Sequence, residues 1–530
     1  MYLLDPMNAP FFSLLQAANA PFGSEHFIAS IPLLSLLGTG LLLMLADAFG
    51  LRRLLPWLAA AGLVGSALLA LTAGGDAHAF QLYFGGMIGF GGRAALMHVL
   101  LCIISLLTLF FLTDYLKRRN EEADSVYALL LFAVVGMVML ATANDLIIVF
   151  IGLEIMSICL YIMAGLFPKN VRSNESGMKY FLLGAFATGF FLFGITLLYG
   201  ITGSTRLDRI GEVIFQERAY TLLANKQLGV APLVLLFTAI GLTLVGFLFK
   251  LAAFPFHSWT PDVYTGAPTP LAGFMATGAK LATFMAFIFF LMQVTLRPEW
   301  DAVNYIKLQN VLGIVALASM LYGNLVAVQQ RNLKRMLAYS SIAHTGYLML
   351  GLMAGPQGYD AVVFYMVIYT LMTVGAFGII SMVERKDGDA DVSRWSGLGL
   401  RKPLLGVLMS AFLFSMAGIP PLGGFIAKYK IFVAAIGADL EVMAILGILA
   451  SVVGAYYYLR VIVLMYFKAS PERGEQGLLA DDVHTGSQLL PYLGVLTMGI
   501  LLLAVGVMPG LLDKYVLDIY SHLDQAITLP

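Results

Sequence analysis

The sequence predicts an all-α polytopic membrane protein of about 14 transmembrane helices. Three observations carry that prediction. First, 60% of the 530 residues are hydrophobic and only 12% are charged, against about a quarter charged in soluble domains, and mean hydropathy is +0.86. Second, apolar runs of crossing length, about 20 residues, recur along the whole chain. Third, nearly all Lys and Arg fall between those runs, which makes the few inside them informative.

Taken in order, the runs lie near residues 28–47, 54–73, 95–113, 125–141, 145–166 and 178–200, and then 231–254, 268–294, 309–328, 337–354, 361–383, 404–435, 441–467 and 488–509. The first is read as a retained span, because no Lys or Arg precedes Arg52 and a cleavable signal peptide needs a basic leader. Residues 1–26 match no motif. Between the sixth and seventh spans, residues 201–230 mix Arg206, Arg209, Arg218 and Lys226 with Asp208, Glu212 and Glu217, the composition of a short surface helix. Connections after odd-numbered spans carry seventeen Lys and Arg, and the opposite side, termini included, carries eight. The positive-inside rule therefore places the former in the cytoplasm and both termini outside.

Six basic residues remain within the spans: Lys179, Lys250, Lys280, Lys428, Lys430 and Arg460. Glu154 joins them. A lysine at the centre of a spanning helix is disfavoured by roughly 2.5–3.5 kcal/mol on insertion scales, so such residues mark ion pathways or proton relays. The alternative is an interhelical ion pair. Arg460, near the cytoplasmic end of the thirteenth span, is read as snorkelling to the interface, and His98 as interfacial. Lys430 lies two residues beyond Lys428, on nearly the opposite helix face, so one of the two faces a polar interior and the other a boundary. Glu175 precedes Lys179 by one turn, a pairing that a surface helix also shows. Lys179 thus has two readings, path or interfacial pair.

Two spans are interrupted. Phe254, Pro255, Phe256 and His257 end the seventh, and Gly418, Ile419, Pro420 and Pro421, followed by Gly423 and Gly424, split the twelfth. Proline removes a backbone donor and clashes with the preceding turn. Within a bilayer such a break persists where it is buried or lines a wet cavity, although an ordinary kink is the simpler alternative. Corresponding breaks in two halves mark the site in inverted-repeat carriers. Here they are five spans apart, so spans four to eight match nine to thirteen, and an odd-numbered repeat must be inverted. The organisation expected is a three-helix segment (1–124), a first five-helix repeat (125–300), a second, inverted repeat (301–470), and a last helix with its tail (471–530).

Cys102 and Cys159 stand singly in apolar runs and are read as packing residues. No GxGxxG, GxxxxGK[ST] or HExxH is present. The formal net charge is zero, which offers no nucleic-acid surface. Any redox or nucleotide chemistry is assigned to partners.

Residues 249–270 (FKLAAFPFHSWTPDVYTGAPTP) resemble the antiporter-like membrane subunits of respiratory complex I, and the form PDVYxGAPTP is that of the N-type branch. Residues 174–189 (NESGMKYFLLGAFATG), 331–347 (RNLKRMLAYSSIAHTGY) and 418–429 (GIPPLGGFIAKY) extend the resemblance from the fifth span to the twelfth. A lysine at 428 departs from the M-type branch. The chain also lacks the long lateral helix of the L-type.

The resemblance implies two inverted five-helix repeats with broken seventh and twelfth helices, and a proton-channel subunit of a bacterial plasma-membrane NADH:quinone oxidoreductase. It implies no cofactor in this chain, with quinone, flavin and iron–sulfur clusters in partner subunits. The implied partners are other membrane subunits, antiporter-like ones among them, with peripheral electron-transfer subunits reached indirectly. Residue by residue, it aligns Glu154 (in GLEIMS), Lys179, Lys250, Lys280 (in TGAKLATF) and Lys428 with the family's buried charges, and His257 and His344 with polar positions on its central axis. Side-chain chemistry supplies the expected mechanism, since desolvation disfavours an ammonium and a nearby carboxylate favours it. Glu154 and Lys250 are then the switch, Lys280 the relay with His257 and His344, and Lys428 the last station. A multisubunit cation/proton antiporter, which shares most of these lysines, is the alternative, and a purely structural or quinone-binding module is a third.

Overall fold

A computed structural model describes residues 23–72, 81–215, 231–295, 302–384, 390–468 and 489–513. It is almost wholly helical. Helices α1 (Ser24–Ala48), α2 (Leu55–Thr72) and α3 (Gly92–Arg119) precede α4 (Val126–Thr142), α5 (Leu146–Ala164) and α6 (Val171–Thr202). A short α7 (Leu207–Phe215) leads to α8 (Ala231–Leu251), α9 (Thr260–Gly266), α10 (Thr269–Phe274) and α11 (Lys280–Phe290). The second half contains α12 (Ala302–Val328), α13 (Leu333–Met353), α14 (Pro356–Val383), α15 (Leu398–Arg401), α16 (Pro403–Ala417), α17 (Gly423–Gly437), α18 (Glu441–Phe467) and α19 (Leu489–Val507).

Eleven helices among the described residues are long and apolar enough to cross a membrane. The other three runs fall short for separate reasons. Helix α4 has 17 residues. Helix α13 is diluted by Ser340, Ser341, His344 and Thr345 at its centre. The 404–435 run divides into α16 and α17, of 15 residues each.

Local chemistry sets the helix ends. Asp145 caps α5 by accepting from the Ile147 amide at 2.8 Å, and Asn332 caps α13 by accepting from Arg335 at 3.1 Å, each satisfying an amide that a helix start leaves free. Arg118 closes the C-terminus of α14, with its guanidinium on the Ser381 and Met382 carbonyls. Arg460, read as snorkelling, instead donates to the Val328 and Gln330 carbonyls at 2.8 and 2.5 Å, at the C-terminal end of α12. Free carbonyls at a helix end attract a cation more strongly than an open interface does.

Residues 269–291 are buried throughout, and α13 and α14 nearly so. These elements form the centre. The rim is apolar outward, as shown by Phe181, Phe186 and Phe193 on α6 and by Val442, Leu449 and Val452 on α18. Exposed apolar faces on helices of this length suit a lipid solvent.

Two details differ from expectation and a third agrees in part. A short antiparallel hairpin, β1 (Gln81–Tyr83) with β2 (Ile88–Phe90), precedes α3, and Arg206 donates to the Gly85 carbonyl in its turn at 2.9 Å. His98 is buried rather than interfacial, with Nε2 2.7 Å from the Ser66 hydroxyl, which also donates to the Pro32 carbonyl. The surface helix expected in 201–230 is seen as α7, while Arg218, Lys226 and Glu217 lie outside the described residues. So do Arg297, Arg385, Lys386, Arg473 and Lys514, used above for orientation, and residues 1–22 of the unmatched N-terminal stretch.

Candidate functional site

Both interruptions are present as helix ends of one kind. At the first, Ala252 is left-handed (φ 57°), Ala253 N–H donates to the Leu248 carbonyl and Ala252 N–H to Phe249. At the second, Gly418 (φ 85°) takes that place, with Ile419 N–H on Phe414 and Gly418 N–H on Ser415. Each is a Schellman closure. Helix α8 therefore stops at Leu251, three residues before the expected end. The segment beyond is tied down by the Phe254 amide on the Ser319 hydroxyl (2.9 Å) and by the Trp259 indole on the Phe249 carbonyl (3.0 Å).

Lys250 is the penultimate residue of α8 and is buried. Its ammonium lies 3.4 Å from the Tyr161 hydroxyl and 4.8 Å from the ring centroids of both Tyr161 and Tyr180. No ion pair within 4 Å joins it to a carboxylate among the described residues; Glu154 is on α5, about two turns before Tyr161. Glu154 keeps one buried oxygen, Oε1, without a hydrogen-bond partner among the described residues.

Lys280 follows a five-residue π-helical turn, Met275–Ala279, a local widening found often at functional positions. Its three ammonium protons are accounted for by the Ser341 carbonyl (2.9 Å), the Ser341 hydroxyl (2.7 Å) and the Thr345 hydroxyl (2.8 Å). Thr345 donates in turn to the Leu251 carbonyl at 2.8 Å. Lys280 is thus linked to the end of the helix that carries Lys250. Tyr369 donates to the Ser341 hydroxyl at 2.9 Å.

His344, one residue before Thr345, faces a second set of groups. Its Nδ1 is 2.7 Å from the Tyr365 hydroxyl and its Nε2 3.2 Å from that of Tyr458, which also meets Ser340. Lys428 donates to the Ser451 hydroxyl (2.8 Å) and back to the Ala417 carbonyl (3.2 Å), the last residue of α16, and lies over the Tyr347 ring at 5.1 Å. Tyr347 and His344 are ring neighbours at 5.9 Å. His257 is not drawn into this chain: it packs between Phe254 and Tyr322, and its Nδ1 has no partner.

Other cations are held differently. Lys179 pairs with Glu175 (2.5 Å) and Asp262 (2.7 Å), is about two-fifths exposed, and shares Asp262 with Arg335 (2.6 Å). Lys430 pairs with Asp513 at 2.9 Å. Lys334, which the sequence placed in a connection, is as buried as Lys250 but pairs with Glu384, which also binds Arg119 and the Thr269 hydroxyl.

Several of these partners were missed from sequence. A signal existed for α13, where Ser340 and His344, and beside them Ser341 and Thr345, are four residues apart and so form two polar columns on one side of the helix. Nothing comparable announced Tyr161, Tyr180 or Glu384. Cys102 and Cys159 are both free and buried. Among the described residues no group of three or more His, Cys, Asp or Glu could hold a metal ion.

Residues 143–454 match the family described as NADH:quinone oxidoreductase/Mrp antiporter, TM. The NADH-quinone oxidoreductase subunit N 1 of Chloroherpeton thalassium is 39% identical over 492 residues, covering 93% of this chain and 98% of its own. Among solved structures, a chain of respiratory complex I from Thermus thermophilus with bound aureothin is 31% identical, with a TM-score of 0.73 over 91% of this chain and 99% of that one. A chain of the Mrp complex from a Dietzia species superposes with a TM-score of 0.78 over 96% of this chain and 97% of that one, at 19% identity, and shares the fold. The span-rich architecture and relatives matching nearly end to end agree: this chain belongs to the NADH-quinone oxidoreductase subunit N family of antiporter-like membrane proteins.

Proposed function

We propose that the chain is the proton-translocating, non-redox membrane subunit of a quinone-reducing respiratory complex. Quinone, flavin and iron–sulfur chemistry resides in partner subunits, and redox energy reaches this chain through them. The runs form 14 crossings, with residues 125–300 and 301–470 as inverted repeats whose broken members are α8 with α9 and α16 with α17. Connections after odd-numbered spans face the cytoplasm of a bacterial plasma membrane, and both termini face outward.

The observation that carries this reading is how the buried cations are held. Lys250, Lys280 and Lys428 have hydroxyls, carbonyls and aromatic faces but no carboxylate within ion-pair reach among the described residues, whereas Lys334 and Lys430 each have one and Lys179 has two. A lysine that merely joins helices is better served by a fixed counter-ion. One that must take up and give back a proton is served by neutral partners, which accommodate both states. The breaks assist, because carbonyls at a helix C-terminus carry about half a unit of negative charge: Lys250 lies on such a terminus and Lys428 donates to one. Glu154 switches Lys250, Lys280 relays through Ser341 and Thr345 with His344 beside it, and Lys428 is the terminal station. Water at the unpartnered atoms of Glu154, His257, Tyr264 and Thr373 completes the chain. Lys179 is assigned to fixing α9 against α6, and His257 to the wet side of the first break.

The test is Lys250→Ala in the assembled complex, measured as protons moved per quinone reduced. Loss of coupled pumping with retained assembly is expected, and normal stoichiometry would refute the assignment. Glu154→Gln should give a partial to severe loss, and full pumping would remove it from the switch. The Mrp-type alternative shares the fold, but the relatives matched over most of the chain favour the respiratory reading. Sodium exchange by the purified protein without a redox partner would reverse that preference.

A further inference from the structure

Lys250 is held by an arrangement that the acid–base switch does not explain. Tyr161 on α5 and Tyr180 on α6 meet edge to face, 4.7 Å between centroids and 81° between planes, and the ammonium sits 4.8 Å from both rings. Tyr180 is stacked in turn on Trp259, at 4.4 Å and 10°, and Trp259 is fixed by its bond to the Phe249 carbonyl. Behind Tyr161 the backbone makes room, since a Cβ on Gly184 would fall 2.0 Å from the Tyr161 hydroxyl. Tyr161 could not take this position beside any other residue at 184. Rings, indole and glycine come from three elements and converge on one ammonium.

Glu154, Ser157 and Tyr161 share a face of α5 by their spacing of three and four residues. Glu154 and Tyr161 are seven residues apart, roughly 10 Å along the axis. One end of this face offers a carboxylate and the other an aromatic pair. We propose that Tyr161 and Tyr180 are positioning residues forming a cation-holding cage, a second resting place for the Lys250 ammonium apart from Glu154, with Gly184 and Trp259 as its supports. The inference rests on the reading that Lys250 carries protons.

The chemistry suits both protonation states. Two ring faces attract the ammonium through their quadrupoles, worth about 0.5–2 kcal/mol, and its N–H donates to the Tyr161 oxygen. After a proton leaves, the neutral amine loses the ring attraction, and the Tyr161 hydroxyl turns to donate to the nitrogen lone pair. Each state thus keeps one hydrogen bond between Lys250 and Tyr161. A carboxylate partner, by contrast, would favour only the charged form.

The test compares Tyr180→Phe, Tyr180→Leu, Gly184→Ala and Lys250→Ala in the intact complex reconstituted in vesicles, scoring assembly, quinone reduction and protons moved per quinone. Tyr180→Phe keeps the ring face and should pump within about twofold of the parent. Tyr180→Leu should lower coupled pumping by about 2- to 30-fold, the range set by the ring attraction, in complexes that still assemble. Gly184→Ala should reproduce that loss by displacing Tyr161. Equal pumping by Tyr180→Leu and Tyr180→Phe would overturn the cage, as would normal pumping by Gly184→Ala. If Lys250→Ala abolishes pumping while the Tyr180 and Gly184 variants pump normally, the cage fails and the proton-carrying role stands; if Lys250→Ala itself pumps normally, that role fails. Should Tyr180→Leu not assemble, Gly184→Ala against Tyr180→Phe decides the matter: loss of pumping in the first with pumping kept in the second supports the cage, and equal pumping by the two overturns it.

Discussion

Lys280 and Lys334 make the sharpest comparison between single residues, because both are almost fully buried and differ in what they touch. Removing the Lys280 charge leaves Ser341, Thr345 and the Leu251 carbonyl, neutral groups that can pair among themselves. Lys280→Met should therefore abolish coupled pumping at nearly normal assembly, as read by quinone-driven proton uptake against complex yield on native gels. Lys334→Met leaves Glu384, whose side chain is fully buried, with less compensation, a defect of about 3 kcal/mol or more. Its expected signature is a fall in assembled complex, with the remainder pumping at the parent ratio. Equal yields for the two variants would remove the distinction between a proton carrier and a structural pair. The lysines were legible in the sequence because a charge in an apolar run is anomalous. Their partners were not, since serine, threonine and tyrosine are unremarkable in spanning helices and only the folded chain brings Lys280 of α11 and Tyr369 of α14 together on Ser341 of α13.

At the level of elements, the two interruptions were legible and their exact ends were not. Proline pointed to residue 255, whereas the helix closes at Ala252 by adopting a backbone conformation that no residue there advertises. At the second break Gly418 gave the usual signal. This asymmetry has a measurable consequence. A Cβ at Gly418 would enter a left-handed position costing about 1–2 kcal/mol and would meet the Lys428 side chain at 3.0 Å. Gly418→Ala should lower the melting temperature of the complex and impair pumping together, whereas Ala252→Gly should be tolerated within about 1 kcal/mol, its relief of the left-handed position offset by added freedom in the unfolded chain. A melting temperature unchanged by Gly418→Ala would mean that the second closure is not under constraint. The hairpin of β1 and β2 was missed because its strands are three residues long and depend on Arg206, far away in sequence, for their turn.

Across the whole molecule, membrane character and family were readable from composition and four motifs, while the number of crossings was less so. Two of the runs that fall short by length or hydropathy, 337–354 and 404–435, carry His344 and Lys428, so the polar residues and the break proposed to serve proton transfer also blunt their apolar signature. Orientation rests on the bias of basic residues and can be checked directly. Gly50 and Gly203 both lie at helix ends, where a Cβ would meet no other atom within 4 Å. Single cysteines placed there should be labelled by an impermeant reagent from opposite sides, Gly203→Cys from outside. Labelling of both from one face would contradict the proposed topology.

The absence of carboxylates within ion-pair reach of Lys250, Lys280 and Lys428 among the described residues also sets an electrical limit. Three bases with one nearby acid, Glu154, form an interior that becomes more positive with every proton it accepts, in a medium that screens charge poorly. On the proposed reading, occupancy of one station opposes occupancy of the next, and departure of one proton invites the entry of another. A path built this way is single-file by electrostatics: its throughput is governed by how rarely, rather than how fully, it is filled.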